Sequence, residues 1–179
     1  MKKNAGLTLI ELVTVIGIMA VLVGVVGLSM KAVTSQRVSS AAGDVKELLQ
    51  TAQTIAMSKK GCSVEIRGTG DGGVLFTTYA TESSADDTTN VQKKIASFTV
   101  EEGVDVYLSG TGGAGMTDHK VLSGETFTIR YERSTGAFKS ILINGVQNSF
   151  TIGTIKFKRG DKVVKLSLSE LTGKISYDN

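Results

Sequence analysis

Nineteen consecutive residues, Leu12 to Met30, carry no charge, and Glu11 stands immediately before them. As a helix the run spans about 28 Å, close to the thickness of a hydrocarbon core. Two generic readings fit it. One is a secretory signal peptide, whose apolar region usually runs about 7–15 residues, and no A-x-A cleavage site follows here. The other is a plain membrane anchor, with Lys2 and Lys3 holding a short N-terminus inside. Neither accounts for Glu11. A charge at bilayer depth costs on the order of 2.5–3.5 kcal/mol, and such residues take a partner.

A partner arises if the chain is cut between Gly6 and Leu7. The cut creates a positive amine on Leu7, four residues before Glu11, and the amine of one subunit can pair with Glu11 of a neighbour when helices pack side by side. Such a glutamate is costly alone and stabilising in an assembly. Lys2-Lys3-Asn4-Ala5-Gly6 followed by Leu7-Thr8-Leu9-Ile10-Glu11-Leu12 resembles the class III leader of type IV pilins and pseudopilins. The resemblance implies cleavage after Gly6 by a prepilin peptidase, N-methylation of Leu7 and use of Glu11 in assembly. Family members most often carry phenylalanine after the cut, and Leu7 departs from that. The implied partners are other pilin or pseudopilin subunits, the peptidase, an inner-membrane assembly platform and, before assembly, membrane lipid. The implied location is the bacterial inner membrane, single-pass with the C-terminal domain outside the cytoplasm, and then a periplasmic or cell-surface filament.

Gly17, Ala20, Gly24 and Gly27 repeat at spacings of three, four and three, a small-residue face that lets helix backbones approach closely. The family often breaks this helix at a proline, where this chain has Leu28, and proline is absent throughout. Gly24 and Gly27 are the expected weak point instead, since glycine in a helix costs about 1 kcal/mol against alanine.

After Met30 the pattern turns amphipathic. Val38, Ala41, Ala42, Val45, Leu48, Leu49, Ala52, Ile55 and Ala56 mark one apolar stripe, with Asp44, Lys46, Glu47, Gln50 and Gln53 mostly off it. Lys59 and Lys60 suit a helix C-terminus, and Gly61 suits its stop. From Cys62 the period becomes two. Strands are expected near 62–67 and over 74–81, 94–100, 104–109, 125–133, 138–143, 151–158, 162–169 and 174–177. The predicted fold class is α+β: a long N-terminal helix, half transmembrane and half amphipathic, packed on an antiparallel β-sheet domain. The expected divisions are a leader over 1–6, a membrane or filament-core helix over 7–30, an amphipathic helix over 31–61 and a β domain over 62–179.

Ala42–Lys60 leading into Val64-Glu65-Ile66, together with Ile155-Lys156-Phe157-Lys158-Arg159-Gly160, Lys165-Leu166-Ser167-Leu168 and Thr172-Gly173-Lys174-Ile175, resembles the GspH/FimT group of that class. The implied role is a minor pseudopilin of type II secretion or a minor pilin. A major pilin and a membrane-tethered binding module that never polymerises are the alternatives.

Little else suggests chemistry. Net charge is +3, and without Lys2 and Lys3 it falls to +1, which is no electrostatic case for nucleic acid. Cys62 and His119 are the sole residues of their types, so neither an intramolecular disulfide nor a zinc site is expected. Gly110, Gly112 and Gly115 fit G-x-G-x-x-G but lack the helix that a dinucleotide site needs next. His119 reads as a surface residue. Asp71, Asp86 and Asp87 match no calcium loop. Arg159-Gly160-Asp161 reads as a hairpin turn. The basic hairpin of Lys156, Lys158, Arg159, Lys162 and Lys165 is the one possible nucleic-acid contact, and DNA-binding relatives on the FimT side use a basic C-terminus that Tyr177-Asp178-Asn179 does not offer. No cofactor, metal or catalytic set is expected.

Overall fold

The computed structural model describes residues 8–58, 61–83, 90–111, 116–148 and 151–178, with side chains at all of these except 24–32, 82–83, 90–91, 111, 148 and 151. Helix α1 (Leu9–Met57) precedes eleven strands among these residues: β1 (Gly61–Gly68), β2 (Val74–Ser83), β3 (Asn90–Val100), β4 (Asp105–Thr111), β5 (His119–Lys120), β6 (Thr126–Tyr131), β7 (Phe138–Ile143), β8 (Val146–Asn148), β9 (Thr151–Arg159), β10 (Lys162–Leu168) and β11 (Ile175–Asp178). The chain divides into two compact units, Met1–Gln36 and Arg37–Asn179. α1 remains helical through Gly24 and Gly27, where a weak point was expected.

In the second unit the amphipathic stripe does what its spacing predicts. Val38, Ala42, Val45, Leu49, Ala52 and Ala56 are fully buried, while Asp44, Glu47 and Gln50 are exposed. Burying each larger apolar side chain contributes about 1.5–3 kcal/mol. Polar contacts then fix how the helix lies on the strands. Tyr131 donates its hydroxyl to the Leu49 carbonyl at 3.2 Å, Gln53 Nε2 donates to the Thr172 carbonyl at 2.9 Å, and Lys46 Nζ sits 4.3 Å from the Tyr177 ring centre. α1 ends at Met57, with the Ser58 N–H bonded to the Thr54 and Ile55 carbonyls. Gly61 opens β1 rather than stopping the helix. Lys59 and Lys60 lie outside the described residues.

The expected single sheet is two. One has the order β3-β2-β1-β6-β7-β8 and the other β11-β10-β9-β4-β5. Every paired strand within them is antiparallel. The chain alternates between them, so β1 finds β6 (Ser63 opposite Arg130) and β4 finds β9 (Tyr107 opposite Lys156) across long stretches of sequence. Phe76 of one sheet and Phe157 of the other, both fully buried, meet at 6.4 Å between ring centres. Both sheets and the α1 stripe contribute to one core.

Two short strands are additions to the sequence reading. β8 closes a hairpin with β7 through Asn144 and Gly145, at φ 49° and 82°. That is the Asn-Gly pair a type I′ turn demands. β5 is only His119–Lys120, held against β4. At the β9–β10 turn Gly160 has φ 57° and Arg159 pairs with Lys162, so Arg159-Gly160-Asp161 is a hairpin turn.

Gly173 has φ 65°, and a Cβ there would run into the Gly136 carbonyl oxygen and come within 2.8 Å of Gln53 Nε2. Gly173→Ala is expected to lower stability by about 1–3 kcal/mol through backbone strain alone. Gly160→Asn, where a side chain meets open space, should stay within about 0.5 kcal/mol. Urea denaturation of the full chain in nonionic detergent measures both. Burial also pushes the Cys62 thiol up from 9.0 to about 11, and holds the Tyr131 hydroxyl well above its usual range. Above its ordinary value each group still keeps its proton in the folded chain and loses it on unfolding. Stability is therefore expected to be full below pH 9 and to fall as pH rises toward 11. The urea midpoint should follow that course, less steeply in Cys62→Ala.

Candidate functional site

The site predicted around Glu11 begins with a local answer to its charge. Thr8 is the residue before α1, and Glu11 lies in the first turn. The Thr8 backbone N–H donates to Glu11 Oε2 at 2.9 Å, and the Thr8 hydroxyl donates to the same oxygen at 2.8 Å. The Glu11 N–H reaches back to Thr8 Oγ1 at 3.4 Å. This is a capping box, in which the side chains at the start of a helix satisfy backbone donors that have no partner within it. The negative carboxylate also faces the positive end of the helix dipole. Thr8-Leu9-Ile10-Glu11 carries the T-x-x-E signature of such a box, a signal that a reading centred on assembly passed over.

Beyond Glu11 the helix presents uncovered apolar surface. Eleven large apolar side chains between Leu9 and Val23 are 45–81% exposed. Thr14, the polar residue among them, donates its hydroxyl to the Ile10 carbonyl at 2.7 Å and so needs no outside partner. Gly17 leaves a depression on this helix, bordered by Thr14, Ile18, Val21 and Leu22, and a Cβ at Gly17 would meet nothing within 4 Å. Ala20 is exposed. The surroundings of Gly24 and Gly27 lie outside the described side chains, and Gly6 and Leu7 lie outside the described residues. Among the described residues no helix is long and apolar enough to cross a membrane; the side chains described within the uncharged run end at Val23.

Residues 1–27 match the prokaryotic N-terminal methylation motif. The chain carries a type IV prepilin leader. The leader supports a type IV pilin-class subunit, implies processing by prepilin peptidase and assembly with other pilin subunits, and fits anchoring in the inner membrane followed by incorporation in a filament. No curated protein and no solved structure matches the chain.

The basic hairpin of the β domain does not present one cationic face. Along β9, Ile155 and Phe157 are buried and Lys156 and Lys158 point the other way. Arg159 falls on the same side as Phe157. It packs beside Gly103, and its Nη1 is buried without a hydrogen-bond partner among the described residues. Lys162 stands opposite Arg159 in the register, so it too leaves the side of Lys156. Lys156 donates to Asp118 Oδ2 at 2.5 Å and lies 4.7 Å from the Tyr107 ring centre. The Lys156 ammonium and the Ser109 hydroxyl hold the Asp118 carboxyl below its usual range. Lys165 is opposite both Lys156 and Asp178. Lys158 and Lys165 are exposed on the sheet's outer side.

His119 is not a free surface residue. Its ring packs edge-on against Phe127 at 5.6 Å, and Nε2 lies 3.0 Å from Glu125 Oε2. Burial pushes the Glu125 carboxyl up, but the Leu122 N–H and His119 outweigh it and hold it below its ordinary value. This cluster ties β5 to the start of β6. Gly112 and Gly115 lie outside the described residues, and the next element is β5, not a helix. Asp71 accepts from the Thr69 hydroxyl and from the Gly73 N–H within its own turn. Asp86 and Asp87 lie outside the described residues. Among the described residues no cluster of three or more potential metal ligands occurs.

Thr8→Val removes the cap and is expected to destabilise the first turn by about 1 kcal/mol. Amides of residues 9–12 should exchange faster with solvent deuterium in detergent micelles. Glu11→Gln retains an acceptor suited to the box and should leave those amides nearly as protected as in the parent chain.

Proposed function

We propose that the mature chain, beginning at Leu7, is a structural subunit of a type IV pilus or type II secretion filament, of the minor pilin or pseudopilin kind that the GspH/FimT resemblance implies. It has no catalytic role. The helix over 7–30 crosses the inner membrane once and then packs among its counterparts as filament core, leaving the β domain outside the cytoplasm. Glu11 pairs with the liberated amine of a neighbour. The observation that carries this reading is the exposed apolar stretch from Leu9 to Val23 with one carboxylate at its head. Such a surface is stable only in lipid or against other apolar helices. The Thr8 cap supports the order of events, because it gives the charge a local partner while the subunit waits in the membrane. Pairing then adds a full positive charge to a carboxylate oriented by the cap, in surroundings where water is scarce and opposite charges attract strongly.

Two variants test the steps separately. Gly6→Val places a branched side chain at the cut and should leave the chain at its precursor mass in the membrane fraction. Appearance of mature-sized protein would remove Gly6–Leu7 as the processing site. Glu11→Gln keeps the helix cap but not the charge. It should be cleaved and inserted as usual yet recovered in sheared or overproduced filaments at a tenth of the parent level or less. Incorporation equal to the parent would show that the charge of Glu11 is not used in assembly.

A further inference from the structure

The outer side of the six-stranded sheet holds a trough of about 830 Å³ whose lining includes Arg130, Arg133 and Lys139 against one acid, Glu132. None of these residues was singled out by the sequence pattern, because the pairing of β1, β6 and β7 brings them together. Ser63 of β1 is opposite Arg130 of β6, which is opposite Ser140 of β7. Gly61 and these two serines keep the floor low, and a Cβ at Gly61 would stand 3.2 Å from Arg133 Nη2. Arg130, Arg133 and Lys139 are exposed. Among the described residues none of the three has an ion-pair partner, whereas Lys120, Lys156 and Arg37 each have one. Glu132 accepts from the Thr135 hydroxyl at 2.9 Å. Glu65 stands in the next row, opposite Thr128, and likewise takes none of these cations.

We propose that this trough is a docking site for an acidic peptide segment of a partner protein. Charge complementarity supplies the first argument: three unpaired cations, two of them guanidinium forks shaped for bidentate hydrogen bonding to carboxylates. The remaining lining supplies the second. Gln92 and Gln147 offer both donors and acceptors, and Ser63, Thr81 and Ser140 are hydroxyl-bearing residues, which together complement the N–H and C=O groups of an extended chain. The volume is that of a site for a ligand of many atoms and is too large for a single ion. The third argument separates peptide from nucleic acid. Single-stranded nucleic acid is held by stacking on exposed aromatic faces as well as by charge. The aromatic residue lining this trough, Tyr131, is buried with its hydroxyl committed to Leu49. The inference goes beyond the filament role and stands without it, since it uses only the β domain's own surface.

The test uses the full chain in nonionic detergent and a hexaglutamate peptide labelled at its N-terminus, followed by fluorescence anisotropy at low salt. The peptide should bind, and its affinity should fall at least tenfold in the double variant Arg130→Gln/Arg133→Gln and severalfold in Lys139→Gln. The double variant Lys158→Gln/Lys162→Gln, which removes equal charge elsewhere, should leave affinity within twofold. All three replace exposed side chains, and unchanged circular-dichroism melting would exclude unfolding as the cause. Equal losses in both double variants would reduce the effect to net charge and overturn the site. So would absence of peptide binding to the parent chain. Tighter binding of a single-stranded oligonucleotide of equal charge, lost in the Arg130/Arg133 variant, would overturn the assignment to a peptide.

Discussion

Eleven large apolar side chains left uncovered between Leu9 and Val23 are the constraint on which the rest depends. A continuous apolar surface of that length is costly to leave in water. In the filament role proposed above its surroundings are lipid or other helices, and the polar groups of the stretch are satisfied within it. Thr14 returns its hydroxyl to the Ile10 carbonyl, and Glu11 receives two donors from Thr8. A glutamate that looked isolated in the sequence is part of the helix's own start. The cap does not neutralise it, however, and a negative charge still stands at the head of an apolar surface. The match of residues 1–27 to the N-terminal methylation motif implies processing, and in the proposed role the amine so released supplies a positive charge.

Farther along α1 the same helical periodicity serves a different purpose. Its buried stripe from Val38 to Ala56 belongs to a core completed by both sheets. Tyr131 and Gln53 lock the register between helix and strands through backbone carbonyls, so sliding would leave the buried Tyr131 hydroxyl without a partner. Gly173 then permits the chain before β11 to pass against Gly136 and Gln53, where no side chain fits.

Local features of this fold were legible in the sequence, and its long-range features were not. The stripe on α1 and nine of the strands follow from periods of 3.6 and two, because each buries one face. Asn144-Gly145 would also have disclosed β8, since a type I′ turn needs positive φ at both central positions. The division into two sheets depends on β1 choosing β6 and β4 choosing β9, and alternation alone does not name a distant partner. For the same reason the five cations of the β9–β10 hairpin looked like one patch. The register instead sends Arg159 and Lys162 away from Lys156 and gives Lys156 to Asp118. Conversely, Arg130, Arg133 and Lys139 looked unremarkable until three strands placed them around one trough. At the N-terminus the hydrogen bonds between Thr8 and Glu11 were legible too, in the T-x-x-E spacing of a capping box, but the search for a distant partner to the charge hid the local one.

The account rests on the charge of Glu11 being answered by another subunit. A cryo-electron microscopy map of the assembled filament, at a resolution that shows side chains, measures this directly. The Leu7 amine nitrogen of one subunit is expected within about 4 Å of a Glu11 carboxylate oxygen of its neighbour. Glu11 facing lipid or water, with every neighbouring amine more than about 8 Å away, beyond a Debye length at physiological salt, would contradict the account.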